Sequence, residues 1–184
     1  MKLMVPALDY LSSYVSALES GWSPDNVRGR EASEEQLELI RRDRDSFLAS
    51  LDDPEARGAP IKLPDGSLVS RLPGIVRWMW DGEFCGSIGF RWQEGTAALP
   101  PTCLGHIGFS VVPWKQRRGY ATAALALMLD EARARKLPYV ELTTDPDNIA
   151  SRRVIEANGG TIEKRFQKDS AYGASESLLF KIEL

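Results

Sequence analysis

The chain has 184 residues, 43% of them hydrophobic and 27% charged, an ordinary composition for one sizeable core. Its formal charge of −3 and pI near 5.3 exclude the basic footprint of a non-specific nucleic-acid binder. The longest apolar run, residues 121–129, is too short and too alanine-rich for a membrane span, and residues 1–6 lack a signal-peptide pattern, so a cytoplasmic protein without nucleic-acid or membrane partners is expected.

Leu8, Leu11, Val15 and Leu18 recur at helical intervals, so residues 8–19 read as an amphipathic helix closed by Gly21. Ser33 with Gln36 three residues on reads as a capping box for a second helix. Its core stripe is Leu37, Ile40, Phe47, Leu48 and Leu51, and it stops before Pro54. Arg41, Arg42, Asp43, Arg44 and Asp45 give that helix a solvated, salt-bridged face. Residues 54–74 are rich in proline and glycine, and Pro64-Asp65-Gly66 separates two short apolar pieces, which predicts a hairpin or an irregular loop.

Residues 75–80 and 84–92 read as strands joined at Asp81-Gly82, a dipeptide that hairpins favour. Trp78 and Trp80 share one face of that hairpin, either lining an apolar pocket or, more simply, packing under the N-terminal helices. Cys85 and Cys103 fit no metal or redox spacing and read as buried or partly buried thiols, so no metal is expected. A polar loop over 93–101 leads to a strand at about 106–112, opened by the single histidine, His106.

The pattern then changes. Residues 121–136 have helix-forming composition, with Leu125, Met128, Leu129 and Ala132 on one face and cations at the C-terminal end, and Pro138 follows. Residues 139–143 read as a strand, 147–158 as a helix closed by Gly159-Gly160, and 161–166 and 178–184 as the last strands. Strand, helix, strand at this spacing implies a parallel crossover, hence a mixed α/β (α+β) fold. One domain over 1–184 is expected, with residues 1–54 as a helical arm.

The informative stretch is 110–122. A strand runs into a turn with three cations, Lys115, Arg117 and Arg118, and one glycine, Gly119, and a helix starts at once. The first turn of a helix has unpaired N–H groups and the positive end of the macrodipole, so it receives anions. Gly119 and Ala121 permit close approach of a phosphate, and Arg117 and Arg118 add charge at the rim. The turn matches neither a P-loop nor the three-glycine dinucleotide fingerprint.

Gln116, Gly119 and Ala121 match the Gln/Arg-x-x-Gly-x-Gly/Ala signature of the GNAT superfamily of acyl-CoA-dependent N-acyltransferases. Asn148-Ile149-Ala150-Ser151, leading to Asn158-Gly159-Gly160, resembles the family's next segment. The resemblance covers about 105–166 and is similar to that of bacterial predicted acetyltransferases of unassigned substrate. It implies a mostly antiparallel sheet splayed at one parallel pair, with helices on both faces. It also implies acetyl-CoA as co-substrate and N-acetyl transfer to a small-molecule or peptide amine in a ternary complex. A homodimer stays open.

Carried over, a bulge splays the strand before the turn, and Val111 and Val112 offer backbone groups to the pantetheine. Residues 117–122, that is Arg117, Arg118, Gly119, Tyr120, Ala121 and Thr122, take the pyrophosphate, and Asn148 and Ser151 lie at the thioester end. The position where many members place an acidic tyrosine is Ile155. The reaction needs a neutral amine, a donor to the oxyanion and a proton for the leaving thiolate. Ser151 and Tyr172 are therefore candidate acids, and His106 and Glu141 candidate bases. The missing tyrosine also admits a non-catalytic acyl-CoA-binding or regulatory module.

Overall fold

The computed structural model describes residues 1–25, 28–62, 66–168 and 175–184. In chain order the elements are β1 (Lys2–Met4), α1 (Leu8–Glu19), α2 (Arg30–Arg42), α3 (Arg44–Ser50), β2 (Asp52–Asp53), β3 (Ile61–Lys62), β4 (Leu68–Val69), β5 (Gly74–Trp80), β6 (Phe84–Arg91) and β7 (Ile107–Val111). A 3-10 turn (Pro113–Lys115), α4 (Tyr120–Ala134), β8 (Tyr139–Thr144), α5 (Ile149–Glu156), β9 (Thr161–Gln167) and β10 (Glu176–Glu183) follow.

The strand periodicity of two sorts side chains to two cores. On β5, Ile75 and Met79 join α4, α5 and β10 in one buried cluster. Trp78 faces the other way into a cluster with α1 and α3. There Trp78 stacks on Tyr14 at 4.5 Å between centroids and meets Phe84 edge-on at 5.8 Å, and Trp80 meets Tyr10 at 4.8 Å. The tryptophans thus pack under the N-terminal helices, as the simpler reading expects. Rings buried this way contribute roughly 1.5–3 kcal/mol each. Helices therefore cover both faces of the sheet.

The single helix expected before Pro54 is two. Asp43 leaves the helical region at φ −160° and its carboxylate accepts the Ser46 N–H at 3.0 Å, so it caps α3 and ends α2. Nor does Ser33 cap anything. Gly29 occupies that position, while the buried Ser33 hydroxyl donates to the Trp22 carbonyl at 3.0 Å and Gln36 accepts from Tyr14. Residues 41–45 are solvated as expected, but the ion pairs of α2 sit at its other end, joining Arg28 to Glu35 and Arg30 to Glu34. Residues 61–62 and 68–69 form the expected hairpin, although Pro64 and Asp65 of its turn lie outside the described residues.

The sheet runs β1-β5-β6-β7, with β2 on β5, and a second sheet runs β8-β10-β9. Every ladder is antiparallel. The crossover through α4 brings β7 and β8 side by side, and the expected splay there is complete, since the two strands share no ladder. They touch where the His106 N–H donates to the Glu141 carbonyl at 2.7 Å and diverge beyond it.

Candidate acyl-CoA site

The gap between β7 and β8 is lined by backbone. Arg91 N–H donates to His106 C=O at 2.9 Å, and Val112 N–H donates to Cys85 C=O at 3.0 Å. The register between these pairs is unbroken, from Phe90↔Ile107 to Gly86↔Val111. Hydrogen-bonded residues of an antiparallel pair alternate, so the His106 carbonyl and the backbone of 108, 110 and 112 face β6, and the backbone groups of Ile107, Phe109 and Val111 face the gap. Across it, Leu184 N–H donates to Pro138 C=O at 3.0 Å, and the same parity turns the backbone of Tyr139, Glu141 and Thr143 toward β7.

This corrects two expectations. The β6–β7 pairing carries no bulge, and Val112 has no backbone group to offer, because its carbonyl accepts the Lys115 N–H at 3.0 Å. The backbone of Phe109, which the motif does not mark, faces the gap instead; only the register reveals it. Val111 stays at the gap, its carbonyl accepting the Gln116 side-chain amide at 3.4 Å. Gly86 makes the close pairing feasible. At φ +149° a Cβ there would lie 2.3 Å from the Ser110 carbonyl oxygen.

At the end of β7 the chain passes through the 3-10 turn. Two residues there adopt left-handed backbone, Arg117 at φ +60° and Gly119 at φ +75°. For a non-glycine residue that conformation costs about 1–2 kcal/mol. Among the described residues, the backbone N–H groups of residues 117–122 meet no acceptor. All six lie at or just before the first turn of α4, whose N-cap is Gly119 and whose dipole is positive there. Arg117 and Arg118 are exposed at the rim. Lys115, in contrast, is buried, and its ammonium bonds Asp81 and Glu83 instead of facing a ligand. Tyr120 donates its hydroxyl to Asp81 at 2.6 Å. Burial and the Asp81 carboxylate push the neighbouring Cys85 thiol up to about 12, so it stays protonated.

Beyond the gap lies a cleft of about 750 Å³, walled by Phe109, Asp145, Asn148, Ser151, Ile155 and Lys168 among others. Asn148 caps α5, its side-chain oxygen accepting the Ser151 N–H at 3.0 Å, which leaves its amide NH₂ to donate elsewhere. The Ser151 hydroxyl meets no partner among the described residues, so it does not bond back into its own helix. Ile155 is 1% exposed and belongs to the core. Asp145 accepts from Lys168 Nζ at 2.6 Å and Ser177 Oγ at 3.0 Å, bonds that hold its carboxyl below the usual range.

Of the four residues proposed for proton transfer, the three that are described do not meet at the cleft. Ser151 is at the cleft. His106 is 1% exposed and does not line it. Its Nδ1 accepts the Glu141 N–H at 2.9 Å, and burial lowers its pKa to about 4. That bond ties the residue just before β7 to β8, across the two sheets. Glu141 contributes its backbone to that joint, and its side chain does not reach the cleft wall either. Tyr172 lies outside the described residues. No three His, Cys, Asp or Glu side chains gather as metal ligands among the described residues, and no helix there is long and apolar enough to cross a membrane.

The sequence model of the acetyltransferase (GNAT) domain matches residues 39–161. Comparison with curated proteins gives no match. Among solved structures, the microcin C7 self-immunity acetyltransferase MccE in complex with acetyl-CoA and AMP aligns with TM-score 0.62 at 13% identity, over 99% of this chain and 91% of that one. RimL, a ribosomal L7/L12 alpha-N-protein acetyltransferase in complex with coenzyme A, aligns with TM-score 0.63 at 13% identity, over 99% and 93%. A GNAT-family acetyltransferase from Bacillus anthracis aligns with TM-score 0.60 at 17% identity, over 100% and 95%. At these identities the likeness is one of fold.

Proposed function

The chain belongs to the GNAT family of acetyltransferases, and on that premise we propose that it moves an acetyl group from acetyl-CoA to an amine of a small molecule or peptide, by direct attack in a ternary complex in the cytoplasm. The observation that carries this reading is the run of six N–H groups at residues 117–122 without acceptors, continuous with the open edge of β7. A pyrophosphate satisfies the first and a pantetheine amide the second. Acetyl-CoA supplies the activated acyl group.

The chain's own residues then have separate tasks. The Phe109 N–H, on the open edge and on the cleft wall, is the proposed donor to the thioester oxygen. The Asn148 NH₂ orients the acyl end, and the Ser151 hydroxyl, one turn later on the same helix, hands a proton to the departing sulfur. His106 and Glu141 are left out, since neither side chain lines the cleft. The amine must arrive neutral or lose its proton to water in the cleft. Among the fold neighbours, one acts on a ribosomal protein and another confers self-immunity to a microcin, so both acceptor classes belong in the test.

Purified protein with acetyl-CoA and a panel of small and peptide amines should release free CoA thiol in an amine-dependent manner. A non-catalytic acyl-CoA module is the second reading, favoured by Ile155, which sits in the core where relatives place their tyrosine. Tight acetyl-CoA binding with no thiol release across the panel would decide for it.

A further inference from the structure

One carboxylate grips both flanks of the anion-binding turn. Asp81, on the loop between β5 and β6, accepts from Lys115 Nζ at 3.1 and 3.0 Å and from Tyr120 OH at 2.6 Å. Lys115 is the last residue before the turn and Tyr120 the first of α4, so residues 116–119 are a short bridge with both ends tied to one group. Glu83 holds the same ammonium at 2.6 Å. The loop is itself held, because Asp81 N–H donates to Glu83 C=O at 3.3 Å and Phe84 N–H to Ser13 Oγ of α1 at 2.8 Å. A buried lysine needs such partners, and here they occupy one of the three cations of the turn.

We infer that Asp81 is a positioning residue of the acetyl-CoA site: through Lys115 and Tyr120 it holds the left-handed bridge at Arg117 and Gly119 in the shape that points the N–H groups of residues 117–122 at the pyrophosphate. The inference rests on the function proposed above. Left-handed backbone at a non-glycine residue persists only when its surroundings enforce it. A turn already shaped loses little freedom on binding, so the effect of the clamp falls on affinity for acetyl-CoA, not on the acceptor.

The sign of the effect separates positioning from simple charge. Asp81 is an anion beside an anion site. If it acted only through its field, Asp81→Ala would tighten acetyl-CoA binding; as a clamp, Asp81→Ala weakens it. Calorimetric titration with acetyl-CoA should give a Kd raised about tenfold or more in Asp81→Ala and roughly threefold in Tyr120→Phe, which loses one hydrogen bond to a carboxylate. In the double variant Tyr120→Phe should add nothing further, because its partner is already gone. KM for acetyl-CoA should rise in step, with KM for the acceptor and kcat within about twofold.

A Kd at or below wild type in Asp81→Ala, or additive effects in the double variant, overturns the clamp. Should Asp81→Ala fail to fold, Tyr120→Phe removes only a hydroxyl, and an unchanged Kd there overturns it equally. If the wild-type protein binds no acetyl-CoA, the functional reading fails instead. The clamp is then judged by backbone NMR order parameters of residues 116–119, which should fall in Tyr120→Phe, and it is overturned if they do not.

Discussion

The two ends of the proposed acyl-CoA site are built from different material. The phosphate end is backbone: six N–H groups at the start of α4 and the open edge of β7. The proposed acceptor end is side chain, contributed to the cleft by Asp145, Asn148 and Ser151 together with residues of 50–61, 69–72 and 100–104. Backbone shape depends on a few glycines at fixed spacing and tolerates change elsewhere, so it leaves a motif. Side-chain chemistry is assembled by tertiary contacts and leaves none. The contrast explains why the co-substrate is readable and the acceptor is not.

The sharpest way to break this contrast is to fill the phosphate end. Arg118→Glu with Gly119→Glu puts two carboxylates and a strained backbone where the pyrophosphate should sit, and calorimetry should detect no acetyl-CoA binding, a loss of about a thousandfold or more. Unchanged affinity would refute the site. Next in size is Gly86→Ala, whose new methyl meets the β7 backbone; it should cost about 3 kcal/mol in urea unfolding and loosen the pantetheine edge as well.

At the side-chain end, Ser151→Ala should lower kcat about a hundredfold with the acetyl-CoA Kd unchanged, the signature of a proton donor. A kcat within twofold of wild type would return the acid to Tyr172 or to water. The smallest effect concerns His106. Burial lowers its pKa from 6.5 to about 4, so the unfolded chain takes up a proton between these values that the folded one refuses. Stability is therefore complete above pH 6.5 and falls as pH drops toward 4, by about 2 kcal/mol at pH 5. Chemical unfolding at pH 7 and pH 5 measures it, and His106→Asn should flatten the difference. A rate profile that titrates with His106 near pH 6.5 would contradict the structural role assigned to it.

What the sequence reveals follows the same division. The β5–β6 hairpin, the helix after Gly119 and the helix capped by Asn148 are local patterns, and each lies within about two residues of where it was expected. The break at Asp43 is missed because an acid inside a run of helix formers reads as surface charge until its bond to the Ser46 N–H is seen. Phe109 is missed, and Val112 overrated, because the choice between them is one of parity, set by pairing Gly86 with Val111 across the sheet. Likewise, His106 reads as titratable near neutrality until burial and the Glu141 N–H are counted. Lys115 reads only as one of three cations of the turn until Asp81, distant in sequence, is found beside it.

In the proposed site, backbone N–H groups, and not the exposed arginines alone, receive the co-substrate. Backbone amide resonances followed by NMR during titration with acetyl-CoA test it directly. The amides of residues 117–122, with those of Phe109 and Val111, should show the largest shifts and become protected from exchange. Shifts confined to the Arg117 and Arg118 side chains, with those amides unmoved, would contradict it.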